Sequence, residues 1–92
     1  MLYLISYDAH KDRQYDRLYE LMDVWEARPL LDSVWLAQLV GPAEVVRDHI
    51  RAALDDDDSV AVIEIAPDAQ WATRFCRKVG VRWLEEHIPF RR

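Results

Sequence analysis

Asp8 is the residue whose type and position most invite chemistry. It closes a run of strand-forming residues, Leu2-Tyr3-Leu4-Ile5-Ser6-Tyr7. A carboxylate at the end of a buried strand is held in place and partly stripped of water. Such a group can bind a hard cation such as Mg²⁺ or Mn²⁺. One carboxylate per chain makes a thin site, but a two-fold dimer would supply a pair. Asp55-Asp56-Asp57-Asp58 is a second concentration of carboxylates, without the spacing or glycine of a calcium loop. It reads as a solvated turn, because four adjacent charges resist burial.

Other common chemistries lack their residues. There are no cysteine pairs, no HExxH and no closely spaced histidines for a metal cage. Gly41 and Gly80 are the only glycines, so no phosphate-cradling glycine loop and no G-x-S-x-G elbow exists. Cys76 is the only cysteine, which excludes an intrachain disulfide and fits a reducing compartment such as the cytoplasm. It reads as a small core residue on a helix. Trp35 and Trp71 have the rings to stack on bases, but both sit in apolar patterns that favour core packing. The start carries no basic stretch of a signal peptide, and no apolar run nears the ~20 residues of a membrane span.

The elements that must position Asp8 follow from the pattern. Ninety-two residues, 51% hydrophobic and 32% charged, make one globular domain. Leu2–Asp8 reads as a central strand, apolar on both faces and covered on one side by helices. Asp12 caps a helix with Tyr15, Leu18, Leu21, Met22 and Trp25 on one face, ending before Pro29. Residues 30–40 are either one bent strand or two strands meeting at a bulge near Asp32-Ser33. Pro42 suits the first position of a second helix, whose apolar face is Val46, His49, Ile50, Ala53 and Leu54. Ser59–Ile65 is another two-sided apolar strand. Residues 68–79 read as partly helical, with Trp71, Phe75 and Val79 four apart. Gly80 interrupts, and 81–88 is helical again, with Trp83, Leu84 and Ile88 together. The order is β-α-β(β)-α-β with a helical tail: an α+β, ferredoxin-like βαββαβ plan with a core of 1–66 and a tail of 67–92.

Charge is unevenly spread. Residues 1–66 hold six Lys/Arg against fourteen Asp/Glu, a net of −8, whereas 67–92 hold six against three, a net of +3. The acidic body repels phosphate at long range, and the basic tail offers local contacts.

Several short stretches, taken in order, carry a resemblance. Leu4-Ile5-Ser6-Tyr7-Asp8, Asp12-Arg13, a helix, and Ser33-Val34-Trp35 resemble the CRISPR-associated Cas-two superfamily, which includes VapD-type toxin ribonucleases. His10-Lys11, Arg28-Pro29-Leu30, Arg47-Asp48, Asp57-Asp58, Val62-Ile63-Glu64, Trp71-Ala72 and Trp83-Leu84 extend it towards the short proteins labelled SinR-like. The resemblance implies a ferredoxin-like homodimer in which Asp8 pairs with its dimer mate, binds Mg²⁺ or Mn²⁺ and supports hydrolysis of RNA or DNA. It implies that Ser33 lies near that site, and that Arg13 and Arg17 match basic positions of the first helix. Arg77 and Lys78 of the basic tail are further candidates for nucleic-acid contact. Two other readings stand beside a metal-dependent endonuclease. One is a non-catalytic dimeric adaptor or regulator, suggested by the acidic surface. The other is a small-ligand sensor on the sheet face, for which no polar cluster speaks.

Overall fold

The computed structural model describes residues 1–8 and 15–89. Strand β1 (Leu2–Asp8) is followed by helix α1 (Asp16–Val24), strands β2 (Arg28–Leu31) and β3 (Val34–Gln38), helix α2 (Ala43–Arg51), strand β4 (Ser59–Ile65) and helix α3 (Lys78–His87). The four strands form one antiparallel sheet in the order β2-β3-β1-β4. This is the ferredoxin-like α+β plan, with a C-terminal helix added.

β1 is central, and its alternation sorts the core into two clusters. Tyr3, Ile5 and Tyr7 point to one face, where Leu18 and Met22 of α1 and Val46 and Ile50 of α2 cover them. Leu2 and Leu4 point to the other face, with Leu36 of β3 and Trp83, Leu84 and Ile88 of the tail. Burying each such side chain is worth about 1.5–3 kcal/mol, so both faces contribute to stability. The expected one-sided cover of β1 is therefore corrected: the tail covers part of the second face.

Local signals explain the element ends. α1 stops where Glu26 adopts φ 55° and Ala27 donates its N–H to the Met22 carbonyl at 2.9 Å. That is the left-handed helix stop usually given to glycine. The expected cap at Asp12 lies outside the described residues. Pro42 precedes α2 as an extended residue (φ −70°, ψ 159°) rather than opening it. Its fixed φ suits that position as well. Gly41 before it holds φ 105°, and the Tyr3 phenol donates to its carbonyl. Within α2, His49 is exposed rather than part of the buried face, and its ring meets Trp25 edge-on at 6.2 Å.

The 30–40 segment is two strands. A two-residue turn at Asp32-Ser33 joins them, and the register irregularity lies between Pro29 and Leu31 instead. Pro29 is tolerated because β2 is an edge strand. β4 is the other edge, and on its second face Ile65 packs against the tail cluster while Ile63 is 58% exposed, so that face is only partly covered.

The tail departs most from expectation. Residues 66–77 form no helix. The Trp71 indole N–H donates to the Ile88 carbonyl at 2.6 Å, which ties this stretch to the end of α3. Phe75, at φ 56°, cannot belong to a right-handed helix. Gly80 does not interrupt α3 but sits within it, buried. A Cβ there would stand 2.5 Å from the Pro29 oxygen and 2.7 Å from the Leu30 Cα. Glycine is what lets α3 lie directly on β2. Among the described residues no helix is long and apolar enough to cross a membrane.

Gly80→Ala gains about 1 kcal/mol of helix propensity and incurs about 3 kcal/mol of overpacking against backbone atoms that cannot yield. The expected net is a loss of about 2 kcal/mol in urea unfolding. Unchanged stability would show that α3 does not approach β2 this closely.

Candidate functional site

Parity puts Ser6 and Asp8 on the second sheet face, away from α1 and α2. The tail docks over β2 and β3, and the β1–β4 half of that face stays largely open. Asp8 is exposed there, not partly stripped of water as a strand end would suggest, and pairs in register with Ser59, as Tyr7 does with Val60 and Ser6 with Ala61. These residues line a shallow depression of about 160 Å³. Ser6, Ser59 and Ala61 are small, which keeps the surface beside Asp8 flat. Ile63 continues it along β4 as an exposed apolar residue.

The register also adds charge that the linear order conceals. Ser59 follows the Asp55–Asp58 run, so the opposition of Asp8 and Ser59 brings that run to the Asp8 end of the sheet. The run is an ordered turn. Asp58 donates its N–H to the Asp55 carbonyl at 3.0 Å, and its carboxylate accepts the Asp55 N–H at 3.0 Å. Asp32, in the β2–β3 turn, adds another carboxylate at this end, paired with Arg77 at 2.6 Å. The end attracts cations and repels polyanions. Among the described residues no three His, Cys, Asp or Glu side chains converge into a metal cage.

The other candidates are dispersed. Ser33 is half-buried in the β2–β3 turn, where its carbonyl accepts the Tyr7 N–H at 3.1 Å. It stands opposite Tyr7 rather than Asp8. Arg17 lies in the first turn of α1, in the helical layer, beside Ala53, Leu54 and Asp55. Arg77 approaches the Asp8 end through its pair with Asp32, and Lys78 opens α3, exposed. Arg13 lies outside the described residues. Trp35 is half-buried on the helical face, and Trp71 is half-buried against the tail cluster. Neither presents a free stacking face at Asp8.

Beneath the site, Tyr7 is buried under α1. Burial pushes its phenol above the ordinary value. The Trp35 indole N–H beside it, itself buried and short of a full hydrogen bond, pulls the other way, and Tyr19 and the Asp32 charge raise it further. Tyr7 is thus a neutral anchor for the strand end that carries Asp8.

No protein-family profile and no curated protein matches the chain. Among solved structures, the chain is similar to the crystal structure of a hypothetical protein from Thermus thermophilus. The TM-score is 0.60 at 21% identity, over 83% of this chain and 96% of that one. The likeness is one of fold.

Asp58→Ala removes the carboxylate that closes the acidic turn. The expected cost is about 1 kcal/mol in urea unfolding. A neutral effect would show that the turn does not depend on this hydrogen bond.

Proposed function

We propose that the chain is a small homodimeric protein of the Cas-two kind, acting as a metal-dependent endonuclease on RNA or DNA phosphodiesters. The observation that carries this reading is the place of Asp8: an exposed carboxylate at the end of the central strand, on the open half of a sheet face. Pairing two such faces about a two-fold axis would cover Ile63 and bring two Asp8 side chains together. Two carboxylates suit Mg²⁺ or Mn²⁺, since Mg²⁺ keeps several waters and takes only one or two carboxylates from protein. Bound there, the ion would supply a more acidic water and a positive charge for the phosphate oxygens. Asp8 would hold and orient it, and Arg77 and Lys78, where the tail docks on the hairpin, are the cations proposed for the nucleic-acid backbone. The order of the sequence stretches from Tyr7-Asp8 to Trp83-Leu84 supports the same reading. The proposed setting is the cytoplasm, on the strength of a single unpaired cysteine.

The acidic end of the sheet favours a second reading, a dimeric adaptor or regulator without catalysis. Carboxylates at Asp8, Asp32 and the 55–58 turn together oppose the approach of a polyanion.

Purified protein incubated with Mg²⁺ or Mn²⁺ and single- and double-stranded RNA and DNA separates the two. Asp8→Asn should lower cleavage at least about 100-fold. Ile63→Glu should lower it too, with a monomeric mass and an unchanged circular-dichroism spectrum. Equal cleavage by wild type and Asp8→Asn, or none by either, would contradict the nuclease and leave the adaptor.

A further inference from the structure

Two oppositely charged patches lie outside the Asp8 site. The first centres on Phe75, just before α3. Its ring is 92% exposed and its backbone holds φ 56°, a region bulky residues rarely enter. The stretch around it is anchored. Arg77 donates its N–H to the Leu30 carbonyl at 3.0 Å and its guanidinium to Asp32 at 2.6 Å, while Cys76 packs against the tail cluster. The fold therefore holds this ring outward on a fixed base. The Arg74 guanidinium lies over one ring face, 4.9 Å from its centroid, and the rest of the ring faces solvent. Lys78 and Arg82 follow one helical turn apart, both exposed.

The second patch is the outer surface of α1. Asp16, Glu20 and Asp23 recur at i, i+4 and i+7, all exposed, with Tyr19 beside them at 50% exposure. The four line a shallow depression of about 380 Å³. Side chains at i and i+4 on a helix stand about 5–6 Å apart. The Lys78–Arg82 pair and the Asp16–Glu20 pair therefore share one spacing, and each patch adds an aromatic ring.

The geometry points to a second copy of this chain as the occupant: the Phe75 patch of one copy docks on the α1 face of another. Phe75 packs against Tyr19 in the depression, Arg74 meets Asp23, Lys78 meets Glu20, and Arg82 meets Asp16. An exposed aromatic ring beside an arginine, with two more cations on the helix that follows, is the composition of an interface hot spot. α1 and α3 lie on opposite faces of the sheet, so the two patches of one chain face apart. The contact is head-to-tail and adds copies in series rather than closing a pair. It is separate from the pairing of Asp8 faces. Cations beside an open ring also suit single-stranded nucleic acid. The matching acidic patch on the same chain, and a net charge of −5, favour the copy.

Sedimentation velocity of the full chain tests this at about 0.05 M and about 0.5 M salt, where screening differs strongly. At low salt the mass should grow with protein concentration beyond a dimer, and at high salt it should not. Phe75→Ala, Glu20→Lys and Lys78→Glu should each weaken the association at least about tenfold, with melting temperatures unchanged. Mixing Glu20→Lys with Lys78→Glu should restore it, because each contact between the two variants joins opposite charges, whereas contacts within either variant join like charges. Asp8→Asn should leave it intact, which separates this contact from the metal site. A salt-independent mass, wild-type behaviour of Phe75→Ala, or no rescue on mixing would overturn it. So would single-stranded oligonucleotide binding lost in Phe75→Ala without any self-association.

Discussion

The whole arrangement depends on the alternation of side chains along β1. The strand is central, so every second residue must find a separate cover. Tyr3, Ile5 and Tyr7 find it under α1 and α2, and Leu2 and Leu4 find it with the tail. The same alternation leaves Ser6 and Asp8 on the second face, where the cover stops. A shift of the strand by one residue would bury Asp8 under the helices and expose Tyr7. The large apolar area committed to the helical face forbids that shift, so the stability of the core fixes the orientation of the carboxylate.

The tail decides how much of the second face stays open. It is anchored on the hairpin at two points, Gly80 against Pro29 and Leu30 and Arg77 on Leu30 and Asp32, while the Trp71 indole on the Ile88 carbonyl ties the tail to itself. The two outer anchors hold it over β2 and β3. The surface over β1 and β4 is then left with small residues, one carboxylate and exposed Ile63. An irregular segment running up to Phe75 and the helix that follows are thereby part of how the site is shaped, although they carry no carboxylate of it.

Strands with clear ends were legible in the sequence. Leu2–Asp8 and Ser59–Ile65 are runs of strand formers bounded by turn residues, and both occur as such. The hairpin at Asp32-Ser33 was legible only as one of two alternatives, because its two-residue turn has no glycine to announce it. Gly80 was misread for a physical reason. Glycine in a helical pattern signals a break unless another backbone presses against it, and that contact with Pro29 is non-local. The four-residue spacing of Trp71, Phe75 and Val79 misled in the same way, since a left-handed residue at Phe75 erases the periodicity. For the site, Asp8 stood out at once. The gathering of the 55–58 carboxylates at its end did not, because it rests on the pairing of Asp8 with Ser59 across more than fifty residues.

The central claim is that the open sheet face pairs two Asp8 carboxylates around one cation. The stoichiometry of Mn²⁺ binding, followed by electron paramagnetic resonance as protein is added, tests it most directly. The account predicts one ion per two chains, lost in Asp8→Asn. One ion per chain, binding that survives Asp8→Asn, or no binding at all would contradict it.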